Sequence, residues 1–111
     1  MRNHAEDPKR VQRKRVAGWR MPPNTVYVGR PTKWGNPCPL KSPENQEWFN
    51  HRFATEQFSY WIQKEEQAEL RDDIRLKLKG KNLACWCREG LPCHADVLLE
   101  IANDGQELDI F

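Results

Sequence analysis

Long apolar runs are missing from this 111-residue chain. A bilayer-spanning helix needs about 20 consecutive apolar residues, so no membrane role is expected. The charged opening, MRNHAEDPKRVQRKR, lacks the apolar segment of a secretory signal, which points to a cytoplasmic protein. Internal repeats and low-complexity tracts are absent too, so one ordinary domain is expected rather than an array. Its size suffices for a modest core without obligatory disulfides or metal. Cysteines number only four, yet Cys85, Cys87 and Cys93 fall within nine residues, and His94 follows. In a reducing compartment such a cluster points to a metal or chemical site rather than a disulfide framework.

Charge is uneven. The first 20 residues carry seven basic side chains against Glu6 and Asp7, a net +5, and the rest of the chain is −3. A basic segment of this kind can follow nucleic-acid phosphates, and Trp19 at its end could stack on a base. The plainer reading is a solvated leader with Val11 and Val16 touching the core. The expected organisation is a flexible basic leader over 1–9, a single domain over 10–104 and a tail over 105–111.

Hydrophobic patterning gives the elements. NTVYVG (24–29) is β-branched and aromatic and reads as a buried strand, with RVQRKRV (10–16) as an added edge strand. The stretch RPTKWGNPCPLKSP (30–43) is too rich in proline and turn residues for regular structure, and long ordered loops are often functional. Ser42, Pro43 and Glu44 form a helix start. Phe49, Phe53, Ala54, Phe58, Trp61 and Ile62 then make one apolar helix face to about Lys64. A second helix is expected around Leu70, Ile74 and Leu78, stopping at Gly80. NLACW (82–86) reads as a strand. In HADVLLEIAN (94–103), a helix, Val97, Leu98, Ile101 and Ala102 face inward. The order predicts a small single α/β domain with a short, mostly parallel sheet and flanking helices.

In parallel sheets, loops at the carboxyl ends of strands share one edge, where ligands bind. The loop starting at Arg30 and the loop from Cys87 to Cys93 should therefore meet. Arg30, Lys33, Trp34 and Asn36 become candidate ligand-binding residues, and Cys87, Cys93, His94 and Asp96 candidate catalytic ones.

Two chemistries compete for the sulfur cluster. Zinc favours Cys and His ligands, and Cys85, Cys87, Cys93 and His94 are candidates, with Cys38 or water completing the shell. Adjacent residues at a helix start diverge by roughly 100°, so Cys93 and His94 both reaching one ion needs a distorted turn. A strand-embedded Cys85–Cys87 pair also lacks a tight knuckle. Alternatively, Cys93 at a helix N-terminus is an activated thiolate, or that terminus binds phosphate beside Arg30 or Lys33. Asp96 then fixes the His94 tautomer or caps the helix. Cys85 also fits as a small buried hydrophobe.

The segments GWRMPPNTVYVGRPTKWGNP and LKGKNLACWCREGLPCHADVLLEIAN strongly resemble a family of small bacterial and phage proteins, domain of unknown function 4326. The likeness runs from Arg10 to Asn103. It rests on Arg30, Pro31, Trp34, Gly35, Asn36 and Pro37, and on Cys85, Cys87, Cys93, His94 and Asp96. Cys38 stands where an aromatic residue is expected in many relatives. The Cys-loop-Cys-His turn also resembles, over about fifteen residues, a turn in domain of unknown function 488, implying a strand-loop-helix site at a sheet edge. The expected function is a composite site for a nucleotide-like or phosphate-bearing ligand. The alternative is a zinc-stabilised nucleic-acid or protein-binding regulatory module.

Overall fold

The computed structural model describes residues 8–38 and 46–103. The expected helix start at Ser42, Pro43 and Glu44, the leader up to Asp7 and the 105–111 tail lie outside the described residues. The described elements, in order, are β1 (Arg10–Gln12), β2 (Thr25–Tyr27), α1 (Glu47–Ile62), α2 (Ala68–Leu78), β3 (Asn82–Cys85) and α3 (His94–Asn103). A single 3-10 turn, Glu65–Gln67, separates α1 from α2.

The sheet has the order β1-β3-β2 and is parallel throughout, with Arg10 opposite Leu83 and Thr25 opposite Asn82. β3 occupies the centre because its side chains suit burial on both faces: Leu83, Ala84 and Cys85 are all buried, the continuous apolar run of a covered parallel strand. The ladder outlasts the strands. Arg13 N–H donates to the Cys85 carbonyl at 2.7 Å and Val28 N–H to that of Ala84 at 2.9 Å. Leu83 N–H donates to the Lys9 carbonyl at 3.0 Å, which carries the pairing one residue into the segment read as leader. Val16, expected against the core, is 62% exposed.

Helix faces follow the four-residue spacing. α1 buries Ala54, Phe58 and Ile62, and α2 buries Ile74 and Leu78. Phe49, read as part of the α1 stripe, is exposed and meets Trp48 edge-on, ring centroids 5.2 Å apart. Gly80 ends α2 with φ +78, a left-handed conformation that other residues adopt only with strain. Its N–H donates to Asn103 Oδ1 at 3.2 Å, tying the end of α2 to the end of α3. α3 is the middle layer, packing on α1, α2 and the sheet. Its buried Ala95, Leu98 and Ala102 include two small residues that allow close approach, whereas Val97 and Ile101 are half-buried. Each large side chain buried here, such as Phe58, Ile62, Leu83 or Leu98, contributes about 1.5–3 kcal/mol. No described helix is long and apolar enough to cross a membrane.

Candidate functional site at the sheet edge

β2 and β3 end side by side, so Val28–Cys38 and Trp86–Cys93 leave the sheet at one edge. Between them lies a cavity of about 290 Å³, lined by Arg30, Asn36, Cys87, Cys93 and His94 and, from α1, by His51. Five of the sequence-derived candidates therefore converge.

The first loop holds itself together with its own polar groups. Arg30 Nε donates to the Asn36 carbonyl at 2.8 Å and Nη2 to the Cys38 carbonyl at 3.0 Å. Asn36 Oδ1 accepts from Cys38 N–H at 2.8 Å, and Nδ2 donates to the Ala54 carbonyl on α1 at 3.1 Å. Trp34 is 8% exposed and belongs to the core, and Lys33 pairs with Asp73 on α2 at 2.7 Å. Neither Trp34 nor Lys33 lines the cavity. An apolar ring gains more by burial than by standing in water, and Lys33 finds its carboxylate away from the cavity.

The second loop is organised by sulfur. Cys85, Cys87 and Cys93 place their sulfurs within 4.8 Å of one another, and Cys85 and Cys93 are 3.4 Å apart. All are free cysteines. The strand stops at Cys85, and the bend that follows turns the Cys87 N–H toward the Cys85 sulfur, while the Ala95 N–H serves Cys93. The bend at Trp86 and Cys87 means that Cys85 and Cys87 are not an extended strand pair.

The three thiols share charge unequally. Cys85 is drawn down to about 3 because the Cys87 and Cys93 thiols donate to it, which outweighs its burial. Cys87 is pushed up to about 11, chiefly because Cys85 holds its proton. Cys93 is also raised, by Cys85, by Cys87 and by burial, against the Ala95 N–H. Cys93 is 2% exposed, and burial and the two neighbouring sulfurs oppose the thiolate that a helix terminus favours.

His94 Nε2 lies 2.8 Å from the Val28 carbonyl. A carbonyl only accepts, so the ring proton sits on Nε2 and the Nδ1 lone pair faces Cys93 Sγ at 3.7 Å. Burial lowers the His94 pKa more than the carbonyl raises it, which favours the neutral ring. His94 lies outside the trio of convergent sulfurs. Asp96 does not touch the imidazole ring. Its Oδ2 accepts from Cys93 N–H at 3.2 Å and from Arg10 Nη1 at 2.9 Å, so it caps α3. Cys38 lines the cavity without joining the sulfur trio, and burial raises its pKa.

Zinc is tested by this donor set. A tetrahedral ion with Zn–S of about 2.3 Å holds its sulfurs roughly 3.8 Å apart, and here Cys85 and Cys93 are 3.4 Å apart with all three sulfurs inside 4.8 Å. The residues fit.

Sequence reasoning missed Arg10, His51 and Trp86. Arg10 clasps the second loop through the Leu91 carbonyl at 2.7 Å, the Arg88 carbonyl at 3.2 Å and Asp96. In the sequence it was one cation in a basic run. His51 reaches the cavity only through the angle at which α1 packs, for which the sequence holds no signal. Trp86 also lines the cavity, with Arg13 and Arg15 against its ring at 4.6 and 4.5 Å. Its place at the end of the apolar stretch NLACW masked it.

The chain belongs to the family described as Domain of unknown function (DUF4326), which matches residues 11–104. No curated protein and no solved structure matches it.

Proposed function

We propose that this member of the family binds, and acts on, a nucleotide-like or other phosphate-bearing ligand in the cavity at the sheet edge. One observation carries the reading: the two loops that bear the family's residues line one cavity with cationic, aromatic and imidazole groups together. Pro92, and the part of Trp86 that Arg13 and Arg15 leave uncovered, offer apolar surface for a ring. Arg30, whose guanidinium plane is set by Asn36 and Cys38, offers a cation for phosphate. Nη1 of Arg30 makes no hydrogen bond among the described residues and is the atom assigned to the anion. His51 and Thr55 supply further polar contacts from α1. His94, neutral and oriented by Val28, is the base closest to the sulfurs.

A thermal-shift screen against nucleotides, nucleosides, sugar phosphates and inorganic phosphate tests this. A ligand at 100 times its Kd stabilises the folded state by about 2.7 kcal/mol. That is a rise of several degrees in Tm for a domain this small. Arg30→Ala should cut the shift produced by phosphorylated ligands and spare that of the matching nucleosides. If no compound shifts Tm at millimolar concentration, the reading is wrong.

The second reading, a nucleic-acid-binding module, is favoured by Arg13 and Arg15 stacking on Trp86 at the cavity wall. It requires binding to single-stranded DNA or RNA that weakens steeply with salt, because neutralised phosphates release counterions. Replacing Arg13 and Arg15 by Ala should flatten that salt dependence.

A further inference from the structure

We infer that Cys85, Cys87 and Cys93 together bind one divalent soft metal ion, zinc first, through three thiolates, with the fourth coordination position opening on the sheet-edge cavity. The inference goes beyond the ligand reading and does not depend on it.

Convergence is the first ground. Three sulfurs from two separate stretches of chain lie within 4.8 Å of one another, the only such group of His, Cys, Asp or Glu among the described residues. Sulfurs brought together merely as small apolar side chains need not point at a common centre. Orientation is the second. The chain bends straight after β3, so Cys87 does not continue the strand away from Cys85, and Cys93, just before α3, brings its sulfur to 3.4 Å from that of Cys85. Charge is the third. Three thiolates and a divalent cation leave one net negative charge, and Arg10, fixed by Asp96 and two loop carbonyls, holds its guanidinium against the loop that carries Cys87 and Cys93.

The open position follows from where the sulfurs lie. Cys85 is 1% exposed and sits behind, whereas Cys87 and Cys93 line the cavity. An ion held by the trio is therefore backed by the core on the Cys85 side and faces the cavity on the other. Cys38 lies outside the cluster, and so does His94, whose Nδ1 stands 3.7 Å from Cys93 Sγ without joining the three sulfurs. Three protein ligands with a free fourth position are the arrangement of catalytic zinc sites, while structural sites are closed by four. An ion there would supply Lewis acidity to whatever occupies the cavity. Binding is a proton exchange with no redox step, the thiol protons leaving to solvent as the metal–sulfur bonds form.

The test uses the full chain, purified without affinity-tag nickel. Elemental analysis should return one zinc per chain. After removal by chelator, cobalt(II) should restore one equivalent, with thiolate-to-cobalt charge-transfer absorption of three-sulfur strength and the visible bands of a tetrahedral ion. Adding cyanide or imidazole should shift those visible bands, because the fourth position is exchangeable. Cys87→Ser should weaken zinc binding by about 100-fold or more, beyond what loss of an outer-shell partner costs. Cys38→Ser should keep the charge-transfer intensity. The wild-type cobalt spectrum stands even if a variant misfolds. Several results overturn the inference: no metal uptake by the reduced folded chain, a spectrum indifferent to added ligands, intensity lost in Cys38→Ser, or a native mass two hydrogens lower from a Cys85–Cys93 disulfide.

Discussion

The two loops that meet at the sheet edge are held by opposite means. From Arg30 to Cys38 the chain satisfies its polar groups internally: a guanidinium on two carbonyls, an amide on an N–H and a carbonyl, an indole in the core. From Cys85 to His94 the loop is clasped from outside by Arg10, and its sulfurs face one another. A residue type that can bind ligand can equally hold a loop. Only a group without an internal partner is left over for chemistry. The first loop is largely a scaffold that presents Arg30, and the second presents reactive atoms.

That contrast is most sharply tested at Trp34. Its truncation to Ala should cost about 3–5 kcal/mol in urea unfolding, the usual range for a buried Trp. A cost below 1 kcal/mol would move Trp34 out of the scaffold and back toward the ligand. Next comes Asn36→Ala, which removes the acceptor for Cys38 N–H and the donor to the Ala54 carbonyl. A loss of about 2 kcal/mol is expected, because both partners are left in a partly buried setting. If stability instead holds while ligand affinity collapses, the amide is a contact residue.

His94 separates the loops through pH. Burial holds its folded-state pKa below the unfolded value, so the unfolded chain takes up a proton that the native chain resists. Its neutral form costs nothing above pH about 6.5, and stability should fall as pH drops below that value toward the lower folded pKa. The slope for one proton is at most about 1.4 kcal/mol per pH unit. Denaturation of chelator-treated protein between pH 7 and 5 should show this slope, and His94→Asn should flatten it. An unchanged slope would assign the titration elsewhere. The smallest effect is expected for Lys33→Ala. The Lys33–Asp73 pair is solvent-exposed, and such pairs contribute little. Tm and ligand-induced Tm shifts should both stay within replicate scatter, and weaker phosphate binding would return Lys33 to the site.

Periodicity and composition were enough to determine the α/β class, the strand at NLAC, the helices and the parallel order. Burial on one face imposes a four-residue repeat, and a fully covered strand must be apolar throughout. They also brought the two signature loops to one edge, since parallel strands leave no other arrangement for their carboxyl ends. Only the tertiary structure decided what each side chain does there. Lys33 has its carboxylate forty residues away on α2, Trp34 fills the core, Asp96 caps α3, and Cys93 lies beside two other sulfurs. His51 enters from a helix that carries none of the motif residues, and Arg10 reaches across the sheet to hold a loop 78 to 86 positions distant. Secondary structure answers to neighbours three or four residues away. The state of a thiol, an amide or a cation is set by whichever group lies within a few ångströms, and that group is brought there by packing.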